Sequence, residues 1–202
     1  MSNVAAQSPP KLDKPGAGLP PIEWFVAKYF LLPKLLKVDQ KTAIENFDKE
    51  CQKIQKICAG LTDEQLTEKR LIKRLRGLED SSRYWSIVMT LEHLVVVDEL
   101  MLQAATALSS GVDVSAFKPT GTADVKPEGK VSAQKILANF EAMRIKLVEE
   151  ASTLNVELDP KATLPHPWFG PLNALEWLNF TSIHTNLHRR QILAIIEQLQ
   201  AK

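Results

Sequence analysis

The sequence lacks three features that mark particular classes of protein: cysteine pairs suited to a disulfide, an excess of charge, and a long apolar run. Its 202 residues include only Cys51 and Cys58, which a helix over residues 40–59 would separate by about 10 Å. That is too far for a disulfide, so we expect reduced, core-facing thiols in a cytoplasmic protein. The net charge of +1 gives no reason to expect a nucleic-acid partner. No apolar run is long enough to predict a membrane span.

The first 38 residues differ in composition from the rest of the chain. Residues 1–21 are rich in proline, alanine and small polar residues, and we expect a flexible tail there. Residues 22–38 are apolar and basic, and they predict a short helical extension that Lys28 and Pro33 interrupt. This extension could lie in a membrane interface, or it could pack on the rest of the protein or on a second subunit. We prefer packing, because one interrupted stretch with little polar face is a weak membrane signal.

The remaining residues, 39–202, carry helical periodicity and no strand-like alternation of useful length. Apolar residues at steps of three and four predict four helices, over about 39–58, 85–108, 132–154 and 174 to the C-terminus. Thr42 with Glu45, and Asn173 with Glu176, have the spacing of a capping box at a helix start. Four helices of about 20 residues in one chain predict an all-α fold, a four-helix-bundle domain preceded by the N-terminal extension.

Two long connections, residues 59–82 and 110–131, do not favour a simple up-down-up-down order of these helices. The first holds a predicted helical turn near Thr62 and the basic run "KRLIKRLR", residues 69–76. We interpret this run as a solvated loop that covers one end of the bundle. It lacks the aromatic residues and the wider positive charge that are typical of a nucleic-acid surface.

The fourth helix has polar residues where a packed bundle would place leucine or isoleucine. Steps of four and three from Trp177 reach Thr181, His184, His188 and Gln191, with apolar residues on both sides. A buried polar group without a partner costs about 1–3 kcal/mol. Water, a carboxylate or a metal ion would each satisfy these side chains.

A third histidine, His93, lies in the middle of the apolar stripe of the second helix. Because residues four apart share one helix face, His184 and His188 can converge on one ion. Three protein nitrogens plus water is the open-site pattern of catalytic zinc, and nickel or iron would accept the same ligands. A di-iron pattern is excluded, because it needs glutamate three residues before a histidine and this sequence has threonine there. A zinc-protease pattern is also excluded, because it needs glutamate where this sequence has Thr185. Spacing alone leaves open a mononuclear metal site and a satisfied polar core.

Two stretches of the chain resemble the DinB/YfiT-like family of metal-dependent enzymes. They are "RYWSIVMTLEHLVVVDEL", residues 83–100, and "HPWFGPLNALEWLNFTSIHTNLHRRQI", residues 166–192. The likeness of the helical plan extends over roughly residues 40–200. The resemblance implies a four-helix bundle of that type, with metal ligands at His93, His184 and His188.

Three other residues match motif positions of this family. We interpret Trp85 as core packing, and Glu92 as a group beside the ligands or on the surface. His166, in "HPWFGP", is a candidate for a catalytic role. The alternative for His166 is a structural turn before the fourth helix, held by Pro167 and Gly170.

The resemblance also implies a function. It predicts a thiol-dependent transferase or a hydrolase that acts on a small molecule, with a divalent ion, zinc or nickel, and a low-molecular-weight thiol as cofactors. A bound divalent ion would lower the pKa of a thiol or water. The alternative is a non-catalytic helical bundle with structural histidines or a structural metal. That bundle could be a homodimer that covers "WFVAKYFLL". Neither substrate nor metal is identified by these residues.

Overall fold

The computed structural model describes residues 10–114 and 120–201; residues 1–9 of the predicted tail lie outside the described residues. The helices are α1 (Pro21–Val26), α2 (Leu32–Leu35), α3 (Gln40–Cys58), α4 (Asp63–Thr67), α5 (Ile87–Ser109), α6 (Ala133–Thr153) and α7 (Ala174–Gln200). A π-helical segment, Ala27–Leu31, joins α1 to α2, and a 3₁₀ turn covers Asp80–Ser82. Two antiparallel ribbons complete the fold: β1 (Arg70–Leu71) pairs with β2 (Tyr84–Trp85), and β3 (Leu164–His166) pairs with β4 (Gly170–Leu172).

Local capping explains where the long helices α3 and α7 begin. Asp39 caps α3, because its carboxylate accepts the backbone N–H of Thr42 at 2.9 Å. The predicted capping box of Thr42 and Glu45 is therefore wrong, and Thr42 instead donates its hydroxyl to Asp39. The box predicted for Asn173 and Glu176 is confirmed, with both of its hydrogen bonds at 2.9 Å.

The second long helix, α5, begins two residues later than its periodicity predicts. The hydroxyl of Ser86 accepts the backbone N–H of Met89 at 3.2 Å and so caps the helix. Trp85 lies before the helix, in β2, where it pairs with Arg70. This short ribbon joins part of the long connection before α5 to the start of the helix, and it fixes the position of the Trp85 ring.

The four long helices pack as a ring in the order α3, α7, α5, α6, and α6 returns to α3. In this ring α3 stands opposite α5, and α6 stands opposite α7, whereas α5 and α6 are neighbours although a long connection joins them. The apolar stripes predicted for α3 and α6 are buried in the core. Cys51 and Cys58 are free and buried, and burial raises the pKa of both thiols, that of Cys58 to about 12.

The N-terminal segment lies against the bundle. Before α1, the N–H of Asp13 donates to Asp80 at 3.0 Å, and that of Gly18 donates to Glu79 at 3.1 Å. The indole N–H of Trp24, in α1, donates to the carbonyl of residue 168 at 2.7 Å. Across the described part of the chain, none of the helices combines the length and apolar character needed to cross a membrane.

Candidate metal centre

The three histidines named from the sequence meet between α5 and α7. His93 comes from α5, and His184 and His188 lie one turn apart on α7. One ring nitrogen from each lies within 4.8 Å of the others, and His93 Nε2 is 3.3 Å from His184 Nε2. His188 is buried, whereas the other two rings are half-buried. Three imidazoles from two neighbouring helices thus converge on one point.

Hydrogen bonds at Nδ1 orient two of these rings. His93 Nδ1 lies 3.0 Å from the backbone oxygen of Val125. His188 Nδ1 lies 2.7 Å from Gln191 Oε1, while Gln191 Nε2 donates to the carbonyl of Ser82 at 2.8 Å. Because carbonyl and amide oxygens only accept, both Nδ1 atoms carry the proton and donate it. Both Nε2 atoms therefore keep a lone pair, as a metal-binding imidazole requires.

A buried carboxyl group, that of Asp98 on α5, orients the third ring. Its Oδ1 lies 3.0 Å from His184 Nδ1, and the hydroxyl of Thr185 lies 3.1 Å from its Oδ2. Burial raises the pKa of Asp98, and the hydrogen bonds from His184 and Thr185 act against that rise. Metal-ligating histidines commonly donate their second N–H to such a carboxylate. The sequence prediction missed Asp98, although an acidic residue directly after the apolar run 94–97 is a usable signal.

The electrostatics of the cluster fit a shared divalent cation. When Asp98 is ionised, His184 also presents a lone pair at Nε2, and two lone pairs face each other across 3.3 Å. Burial, and then the charge of His184, lower the pKa of His93 to about 3, and the same two causes lower that of His188. The rings of His93 and His188 therefore take up a second proton poorly. Tetrahedral zinc at about 2.0–2.1 Å from each nitrogen would separate the nitrogens by roughly 3.3 Å.

The predicted alternative, a satisfied polar core, corresponds to a different protonation state of the same atoms. A protonated Asp98 would donate to His184 Nδ1, and His184 would then donate from Nε2 to His93. The two interpretations therefore differ in what lies between the Nε2 atoms, a proton or a metal ion.

The residues beside the cluster have distinct contacts. Trp85 is buried, as predicted, and its ring also stacks on that of His188, with centroids 6.3 Å apart and planes 6° apart. Glu92 lies outside the group of three imidazoles and accepts the backbone N–H of Gly129 at 2.8 Å. This bond and the one from His93 to Val125 hold the loop before α6 against α5.

His166 lies in β3, outside the group of three. Its ring packs among Phe169, Trp177 and Phe180, and its Nδ1 accepts the backbone N–H of Trp168 at 3.1 Å. This contact belongs to the turn between β3 and β4, as the structural interpretation expects. Burial, and secondarily the charge of His184, lower the pKa of His166 to about 3. The neutral ring therefore carries its proton on Nε2.

A cavity of about 950 Å³ opens onto the three histidines. Its wall includes His166, the indole rings of Trp85 and Trp177, and residues of the N-terminal extension. Sequence periodicity did not indicate this cavity, because its walls come from segments far apart in the chain. The cluster is thus accessible to a small molecule on its cavity side.

Comparison with known proteins agrees with the fold and the motifs. A sequence model of the DinB superfamily matches residues 46–192, and the chain belongs to this superfamily. Among solved structures, the chain is similar to the crystal structure of TT2238, described as a four-helix bundle protein. The TM-score is 0.56, the sequence identity is 20%, and the match covers 77% of this chain and 99% of that one. At this identity the likeness shows the fold alone, and it confirms the predicted bundle. No curated protein sequence matches the chain.

Proposed function

We propose that this protein is a metal-dependent enzyme that acts on a small molecule through one divalent ion. The ligands are the Nε2 atoms of His93, His184 and His188. The observation that carries the proposal is their convergence within 4.8 Å at the wall of a large cavity. Superfamily membership supports it. Zinc or nickel suits three imidazoles, and the fourth position would take a thiol or water.

The chemistry expected here is activation of a nucleophile. A divalent ion in such a site lowers the pKa of a bound thiol or water, which makes it reactive near neutral pH. The chain's own residues hold the site in shape: Asp98, Gln191 and the carbonyl of Val125 fix the three rings. This chemistry is that of a thiol-dependent transferase or a hydrolase.

His166 is a candidate for orienting the substrate. Since its Nδ1 accepts the N–H of Trp168, the neutral ring offers Nε2–H as a donor at the wall of the same cavity. We assign it a hydrogen bond to the substrate, because a ring whose only free nitrogen carries a proton cannot act as a base.

Metal content tests the assignment. Untagged wild-type protein should bind about one zinc or nickel ion per chain, and His184→Ala should bind none. His166→Ala is the matched control, because it removes a histidine from the same cavity and should keep the metal. Metal retained by His184→Ala at the wild-type level would reject the proposed ligand set.

A second candidate is a non-catalytic, dimeric bundle with a structural metal. It is favoured by the exposed aromatic residues of the extension, since Phe25, Tyr29 and Phe30 are 49%, 53% and 56% exposed. Sedimentation of wild type and of Phe30→Glu tests the dimer. A concentration-dependent dimer lost in the variant would support it, whereas monomers in both samples would exclude it.

A further inference from the structure

Residues 22–35 of the N-terminal extension form one wall of the cavity that the metal site opens into. This segment precedes the residues that the superfamily model matches, 46–192. Two contacts fix its first turn: the carboxylate of Glu23 pairs with Arg74 at 2.5 Å, and Trp24 donates to the carbonyl of residue 168. Leu32, which is buried, anchors its other end. The wall is thus held at both ends.

Apart from Glu23, which pairs with Arg74, the cavity side of this wall is apolar. Ile22, Val26, Leu31 and Leu35 all line the cavity, and they are 82%, 41%, 52% and 49% exposed. An apolar group in the cavity would remove these side chains from contact with water. Pockets of this volume hold whole small molecules.

The inner end of the cavity is formed by imidazole and indole rings. Besides the three imidazoles, it is bordered by Trp85 and Trp177, which are 4% and 8% exposed. Within the described part of the chain, neither indole N–H has a hydrogen-bond partner. Both nitrogen atoms are buried, so this end of the cavity presents the indole rings rather than their N–H groups.

We infer that the substrate is amphiphilic, with a metal-binding polar head at the histidines and an apolar chain or ring system against residues 22–35. This inference rests on the proposed metal site and names the substrate class for it. The extension is then a specificity-determining wall. A small, fully polar substrate would leave it exposed to water.

Alkyl hydroxamates test this inference, because their head group chelates metal and their chain length can be varied. Octanohydroxamate should bind the zinc-loaded protein at least about 100-fold more tightly than acetohydroxamate, since each buried methylene contributes about fourfold. Val26→Gln should reduce that ratio about tenfold. Val96→Gln is the matched control, because Val96 is 42% exposed on α5 outside the cavity wall. It should leave the ratio unchanged.

A metal-independent probe separates failure of this inference from failure of the metal site. Anilinonaphthalene sulfonate should bind the cavity of both wild type and His184→Ala, and Val26→Gln should weaken it in both. If zinc does not bind but this pattern holds, the apolar cavity stands and the metal assignment falls. If zinc binds and the hydroxamate ratio is below about fivefold, or if Val26→Gln and Val96→Gln behave alike, the inference is overturned.

Discussion

The contact between His184 and Asp98 places one residue outside the proposed ligand set in control of one of its rings. His184 can present a lone pair at Nε2 to an ion only while its Nδ1 carries a proton. Asp98 Oδ1, 3.0 Å from Nδ1, accepts the hydrogen bond from that N–H. The carboxyl group is fully buried, so its negative charge, when it is ionised, acts on the ring without screening by water. Asp98 is therefore a positioning residue.

Replacing Asp98 with asparagine should weaken metal binding by about 10–100-fold. The amide keeps the shape and the acceptor oxygen but removes the charge that favours the correct tautomer. Competition with a chromophoric chelator would measure the affinity. Glu99→Gln is the control, because Glu99 is the neighbouring acid, lies 3.5 Å from Lys146 on the surface and should bind metal like wild type. Equal affinities for all three proteins would remove Asp98 from this role.

The start of α3 gives a prediction at the scale of one element. Asp39→Ala should lower the free energy of unfolding by about 0.5–2 kcal/mol, because two hydrogen bonds from Thr42 lose their acceptor. Asp39→Asn keeps a capping oxygen and should stay close to wild type. Urea unfolding near pH 7 measures both. An alanine variant as stable as wild type would show that this cap contributes nothing.

The same helices show what sequence can and cannot predict. Periodicity and capping spacing are local, so they located α3, α5, α6 and α7 and predicted the box at Asn173, which the structure confirms. The Asp39 cap was missed because Thr42 and Glu45 offered an equally good local pattern three residues later. The convergence of His93 on α7 followed from stripes on two helices, since a bundle packs such stripes together.

Contacts between distant segments could not be predicted in this way. Val125 holds His93 from a loop, and Gln191 reaches back to Ser82, more than 100 positions earlier in the chain. The ring order of the helices depends on all four interfaces at once. The cavity wall at residues 22–35 likewise depends on where α1 lies against the loop at Arg74.

Acid sensitivity of the metal-free protein is a property of the whole molecule. The folded-state pKa values of His93 and His166 are about 3, below the ordinary value of 6.5, because both rings are held neutral by burial. Between about pH 3 and pH 6.5 the unfolded chain therefore binds more protons than the folded protein. The contribution of these two histidines to the free energy of unfolding is therefore fully present above about pH 6.5. It falls as the pH decreases, by up to about 1.4 kcal/mol per pH unit for each histidine.

Urea unfolding in the presence of a chelator, from about pH 7.5 to about pH 5, would measure this slope. His166→Phe removes one neutral histidine and places an apolar ring among Phe169, Trp177 and Phe180. It should reduce the slope without changing the ligands. A variant with the wild-type slope would show that His166 is not held neutral in the folded protein.

The central claim is that one ion lies between three Nε2 atoms of two helices. Anomalous diffraction at the zinc edge, from crystals grown with zinc, tests it most directly. The expected result is one strong peak about 2.0–2.1 Å from Nε2 of His93, His184 and His188. No peak there, or a peak that one of these rings does not reach, would contradict the account.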